Sequence, residues 1–305
     1  MQNNIPIFLS SDNNYAPFVA TTIASICDNT KSFCEFYILD GGITQENQDK
    51  ICELKKQFDN FSIEFLKINV EETFKKINYQ IAQKYITLST YNRFLIPTLY
   101  PDLKKVIYID IDTIILEDIK FLYFQDLNEY CLGAVHDIKS DDLPFQQYKK
   151  SIGLTQNHKY FQAGVLLIDI GNWKKNNVSQ KLMDVAVKNS SKYRLQDQDA
   201  LNVLFENNYK ILDNRYNYCV ANGVNNPEGE VVIRHFNSQI KPWHINPNTK
   251  TDMMPHLKEF WDYAKKTAFY DELYQKTLDN TQQADILRAL RVVIITNKIR
   301  PKKEK

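Results

Sequence analysis

The chain has 305 residues, 43% of them apolar and 25% charged, which excludes disorder as its main state and leaves room for one large α/β domain or a main domain with an appendage. The formal net charge of +1 excludes polyanion binding by bulk charge, so no nucleic-acid partner is expected. The five cysteines (Cys27, Cys34, Cys52, Cys131 and Cys219) are odd in number and match neither a zinc site nor a disulfide framework, so they read as the reduced thiols of a cytosolic protein.

In chain order, Ile5–Ser10 reads as a strand and Tyr15–Asn29 as a helix, with Val19, Ile23 and Ile26 at helical spacing. Glu35–Leu39 is a second strand, ended by Gly41-Gly42. A charged helix is expected over Gln45–Phe58, a third strand over Ile63–Ile68, a helix over Ser89–Leu99 before Pro101, and a fourth strand over Lys105–Ile109. Gly164–Ile168 then reads as a strand, Gln180–Asn189 as a helix, and Val231–His235 as strand-like. Strands alternating with helices predict an α/β fold with a mostly parallel, doubly wound sheet. Such sheets bind ligands beyond the carboxyl ends of their strands, which singles out Ser10–Tyr15 and Asp110–Asp112.

From about Pro255 the character changes. Leu257–Ala268 reads as helical and aromatic, and Ile286–Ile299 interleaves apolar residues with arginines. From residue 286 onward seven basic residues stand against Glu304 alone. This end reads either as an interfacial helix on an anionic leaflet or as a core-packing helix with a solvated basic tail. The N-terminus lacks a basic start and Ile5–Leu9 is too short for a signal sequence. No stretch approaches the roughly 20 apolar residues of a spanning helix. A cytoplasmic protein is expected, with peripheral attachment to the inner face of the cytoplasmic membrane as the role open to the C-terminus.

Val106-Ile107-Tyr108-Ile109 runs directly into Asp110-Ile111-Asp112. Side chains two apart on an extended segment point to the same side, so both carboxylates can converge on one hard cation, manganese or magnesium. The same string also fits an acidic turn, or the nucleophile motif of haloacid-dehalogenase-like phosphatases, although that motif normally follows the first strand of its fold. In Ser10-Ser11-Asp12-Asn13-Asn14-Tyr15, Asp and Asn can bond a base or ribose and Tyr15 can stack on it; the same residues are ordinary turn and cap formers. Arg93, set among apolar residues, needs a partner, and a diphosphate or Asp110 would serve. Gln196-Asp197-Gln198-Asp199 can hold sugar hydroxyls or cap a helix over Ala200–Phe205. His235 can offer a neutral imidazole to a metal, and Lys241 a point charge to phosphate.

Together these strings resemble glycosyltransferase family eight, in particular the bacterial lipopolysaccharide α-galactosyl- and α-glucosyltransferases, from about Ile5 to Trp243. The resemblance implies a GT-A fold, retaining transfer from a UDP-sugar, and manganese held by Asp110, Asp112 and His235. It places Ser10, Asp12, Asn14 and Tyr15 around uridine, Arg93, Asp197 and Gln198 at the donor sugar, and Lys241 at the diphosphate; Ile111, Gln162, Ala163 and Ser238 complete the donor site. Gln198, Asp197 and Asp199 are the candidate catalytic residues. Two positions depart from the family pattern: Gln162 stands for an Asn and Ser238 for a Gly, which leaves the donor sugar open. The expected activity is transfer of galactose or glucose from UDP-galactose or UDP-glucose to a saccharide acceptor, lipid-linked lipopolysaccharide or lipooligosaccharide. A protein- or glycogen-priming glucosyltransferase and a non-catalytic sugar-binding module are the alternatives. Residues 1–250 are expected to form the catalytic domain and 251–305 a helical, basic and aromatic appendage.

Overall fold

A computed structural model describes residues 4–77, 88–220, 230–249, 254, 256–278 and, singly, 283, 285, 286 and 288. The segment from 286 onward, read as either an interfacial or a core-packing helix, therefore lies almost wholly outside the described residues. No helix among the described residues is long and apolar enough to cross a membrane.

Among the described residues, ten strands form two sheets. β1 (Ile5–Ser11), β2 (Cys34–Asp40), β3 (Phe61–Lys67), β4 (Lys105–Ile109), β6 (Leu132–His136), β7 (Phe161–Asp169) and β8 (Lys210–Leu212) make the large sheet, in the order β3-β2-β1-β4-β7-β6-β8. β5 (Thr113–Ile115), β9 (Tyr218–Cys219) and β10 (Ile233–His235) make a small one, in the order β5-β10-β9. In the large sheet β7 alone runs against its neighbours β4 and β6; the remaining pairings are parallel. The mostly parallel α/β sheet is thus the one expected, with one antiparallel strand inserted.

The sequence explains the layering. β1 and β4 are runs of Ile, Val, Phe and Leu buried on both faces, the pattern of strands covered on two sides. Helix Ala16–Asn29 is buried from Ala16 to Cys27, as a helix apolar all round must be. One core contains Ile7, Leu9, Val19, Ile23, Ile107 and Ile109; the other, on the opposite face of the sheet, contains Phe8, Val106, Tyr108, Leu166 and Trp173. The strand order turns at β1, with β2 on one side and β4 on the other. The carboxyl ends of β1 and β4 therefore flank the reversal point where an open α/β sheet leaves a crevice.

Three expectations change. The segment expected as a helix over Ser89–Leu99 is a 3-10 helix, Leu88–Leu95, followed by a single α-turn, Ile96–Leu99. Pro97 has no N–H to give a continuous α-helix through this stretch. The helix after Gln45 ends as α at Cys52 and tightens to 3-10 over Glu53–Lys56. Finally, the boundary expected near residue 250 does not separate two cores. Leu257, Phe260, Trp261, Ala264, Phe269 and Leu273 lie in the same buried cluster as β1 and helix Ala16–Asn29. Trp243 stacks on Phe18 at 3.7 Å, with Phe260 5.5 Å away, and the Trp261 indole N–H donates to the Ile245 carbonyl at 3.2 Å.

Trp261→Ala is expected to cost about 3–5 kcal/mol and to lower the single cooperative transition of the whole domain in denaturant. An unchanged main transition with a separate, weaker one lost would instead mark an independent C-terminal unit.

Candidate active site at the junction of the two sheets

The chain leaves the large sheet at Ile109 and enters the small one at Thr113, so Asp110-Ile111-Asp112 is the crossing between sheets. Its backbone is fixed from both sides. The Asp110 N–H donates to the Gly164 carbonyl at 2.7 Å, and the Phe236 N–H donates to the Asp112 carbonyl at 2.9 Å. The buried Thr22 hydroxyl lies 3.1 and 3.0 Å from the Ile111 and Thr113 carbonyls. Antiparallel pairing of β10 with β5 sets His235 opposite Thr113, one residue from Asp112. Ligand atoms of Asp110, Asp112 and His235 consequently lie within 4.8 Å of one another.

Each carboxylate has a basic partner. His235 Nε2 is 3.1 Å from Asp112 Oδ1, and Lys241 Nζ is 2.6 Å from Asp112 Oδ2. Arg93 bridges Asp110 and Asp197, at 3.1 Å to each, and its guanidinium lies 4.2 Å from the centre of the Tyr108 ring. Burial opposes ionisation at Asp112, but Lys241 and His235 override it and hold the carboxyl well below its usual range. Burial likewise pulls the His235 imidazole down, and Asp112 reverses this, raising it to about 10. Burial pushes Asp197 up to about 6 in spite of Arg93.

Strand β7 completes the wall because its pairing slips. Ala134 opposes Leu166 while Val135 opposes Gln162, so residues 163–165 have no partner in register on β6. Bulges of this kind re-aim groups beside active sites. Here the Ala163 N–H donates to Gln198 Oε1 at 2.9 Å, and the Ala163 carbonyl accepts from Arg93. Gln198 and Asp197 open helix Asp197–Leu204, whose N-cap Gln196 has φ 48° and ψ −107°. That backbone is strained for a residue with a Cβ. It is held by Tyr91 Oη on Gln196 Oε1 and by Gln196 Nε2 on the Tyr193 carbonyl, both at 3.0 Å.

These groups line one cleft, of about 290 Å³. Among the expected donor-site residues it brings together Ser10, Asp12, Tyr15, Arg93, Asp110, Ile111, Asp112, Gln162, Ala163, Asp197, Gln198, His235 and Lys241. Three expected residues are not in its lining. Asn14 is exposed; Ser238 turns its hydroxyl onto the Ile240 carbonyl at 2.5 Å. Asp199 is fully buried behind the cleft, accepting from Tyr148 Oη at 2.5 Å, Tyr160 Oη at 2.6 Å and the Leu195 N–H at 2.7 Å. The lining also includes Ser89, Thr90, Asp137, Gly164, Asn237 and Trp243, which the sequence did not single out as donor-site residues. Asp137 follows β6, whose Gly133 and Ala134 are poor strand formers, and burial raises its carboxyl.

Residues 6–246 match the model of glycosyl transferase family 8. The chain belongs to that family. A Haemophilus influenzae protein named as a candidate glycosyltransferase is 35% identical over 248 residues, 78% of this chain and 72% of its own length. The lipopolysaccharide 1,3-galactosyltransferase of Salmonella typhimurium is 27% identical over 247 residues, 76% and 71% of the two chains. The galactosyltransferase LgtC, solved in complex with donor and acceptor sugar analogs, superimposes with a TM-score of 0.77 over 90% of this chain and 100% of its own, at 24% identity. The fold of this family 8 glycosyltransferase is therefore GT-A, and the phosphatase reading of Asp110 and Asp112 falls away.

Gly164 tests how tightly the cluster is built. A Cβ there would collide with His235 Cε1 and lie 2.7 Å from Asp110 Oδ2. Gly164→Ala is expected to cost about 1–3 kcal/mol and to weaken divalent-cation binding, read by thermal unfolding and by titration of manganese. Wild-type binding in this variant would show that the three ligand atoms do not act together.

Proposed function

We propose that this glycosyltransferase is a retaining hexosyltransferase that moves galactose or glucose from a UDP-sugar to a hydroxyl of a saccharide acceptor of the lipopolysaccharide or lipooligosaccharide type, with manganese as its metal and magnesium as the substitute. The observation that carries the reading is the convergence of Asp110, Asp112 and His235 within 4.8 Å, with Lys241 alongside. Two carboxylates and an imidazole are a donor set suited to such an ion, and the missing side chain of Gly164 keeps the space between them open. When bound, the ion supplies Lewis-acid neutralisation of charge on a departing diphosphate.

The chain's own residues supply the rest. Ser10, Asp12 and Tyr15 lie at the end of β1, where a nucleoside has both hydrogen-bonding groups and a ring to stack on. Lys241 adds a positive charge toward phosphate oxygens, and Arg93 holds Asp197 and Asp110 apart in fixed positions. Retention invites a carboxylate nucleophile, but Asp197 is engaged by Arg93 and Asp199 by two tyrosine hydroxyls. Gln198, the third candidate, lines the cleft with an amide and so offers no carboxylate. This favours attack by the acceptor on the face from which the diphosphate leaves. The name of the Salmonella relative supports a hexose donor and a lipopolysaccharide acceptor.

Asp110→Ala, or excess chelator, is expected to abolish hydrolysis and transfer across a panel of UDP-sugars; full activity under either condition sinks the metal reading. Mass spectrometry of enzyme incubated with donor alone is expected to find no hexose on Asp197 or Asp199. A stable adduct on either would replace same-face attack with a double displacement.

A further inference from the structure

Asn217 ends the 3-10 turn Asn214–Asn217 that leads into β9, is 2% exposed, and has no role in the reading above. Its amide lies between two groups that do. Oδ1 is 2.8 Å from His235 Nδ1, and Nδ2 is 3.4 Å from Gln162 Oε1. The polarity of this chain follows from one backbone group. The Gly164 N–H can only donate, and it donates to the Gln162 amide, so the Gln162 atom there is the oxygen. The Asn217 atom facing that oxygen must then be a donor, Nδ2, which makes its other end the acceptor Oδ1. His235 Nδ1 therefore carries a hydrogen, and Nε2, directed at Asp112, is the nitrogen that would give up its proton to take a cation.

We infer that Asn217 is a positioning residue that sets two parts of the site through one relay: the tautomer and direction of the metal ligand His235, and the amide of Gln162 in the wall of the cleft. The inference rests on the metal reading proposed above. With its oxygen engaged by Gly164 and Asn217, Gln162 has its NH₂ group left for a ligand, so this wall offers hydrogen-bond donors to oxygen lone pairs of a donor sugar. Partners that hold the second nitrogen of a metal-bound histidine fix its orientation and typically change metal affinity by about 10- to 100-fold when removed. Here the same amide also fixes a neighbouring group in the donor pocket, so metal affinity and sugar discrimination share a determinant.

The test compares Asn217→Leu, Asn217→Asp and His235→Ala with the wild-type full chain. Manganese affinity is read without donor from the free-ion electron paramagnetic resonance signal, and sugar preference from the ratio of UDP-galactose to UDP-glucose hydrolysis. Circular dichroism checks the fold, and Asn217→Ala, which also removes the acceptor oxygen, carries the histidine arm where Leu does not fold. Asn217→Leu is expected to lose about 10- to 100-fold in manganese affinity. Asn217→Asp still accepts from His235 Nδ1 and restores that affinity, but sets a carboxylate oxygen against Gln162 Oε1 and shifts the hydrolysis ratio. Wild-type affinity in Asn217→Leu, with affinity lost in His235→Ala, overturns the histidine arm. An unmoved ratio in Asn217→Asp overturns the Gln162 arm. Wild-type affinity in His235→Ala overturns the metal reading itself, and the relay with it.

Discussion

Compensation of charge at the carboxyl edge of the sheet is the constraint on which the other features depend. Asp110, Asp112 and Asp197 crowd one cleft wall, and three basic groups, Arg93, His235 and Lys241, come to them from separate elements. A carboxylate withdrawn from water without a partner is costly. The placement of those basic groups is therefore part of the fold as much as of the site. Arg93 needs the 3-10 helix, His235 needs the small sheet, and Lys241 needs the aromatic stack of Trp243 on Phe18.

The backbone serves the same end. Where β7 loses register with β6, its amide and carbonyl at Ala163 bond to Gln198 and Arg93 instead of to a neighbouring strand. The strained Gln196 then delivers Asp197 and Gln198 at the first turn of a helix. Asp199, two residues on, ties that helix to Tyr148, Tyr160 and the Leu195 N–H. The acidic string 197–199 thus splits by depth: Asp197 reaches the cleft and Asp199 anchors what holds it there.

Much of this was legible in the sequence because long, strongly patterned runs specify their own state. β1, β4 and helix Ala16–Asn29 carry nearly unbroken apolar residues, and the positions after β1 and β4 follow from the alternation of elements. What escaped depends on partners remote in the chain. β5, β8 and β9 are two or three residues long and exist only through pairing. Asn217 lies in a polar turn with nothing local to mark it, and its role comes from His235 and Gln162. Asn14 and Ser238 sit inside motifs whose neighbours line the cleft, yet turn geometry directs them elsewhere. The aromatic residues after 256 read as an appendage because composition changes there, whereas burial against helix Ala16–Asn29 makes them core.

The position of Asp110-Ile111-Asp112 between two sheets has a consequence for how the site comes into being. The motif is local, but Asp112 meets His235 only after the chain has closed a loop of more than a hundred residues, and such contacts form late because their closure entropy is met before they contribute stability. A nascent or truncated chain ending before β10 carries the whole acidic triplet without the nitrogen that completes the cluster. The complete cluster of two carboxylates and an imidazole is therefore a property of the finished domain, acquired at the end of folding.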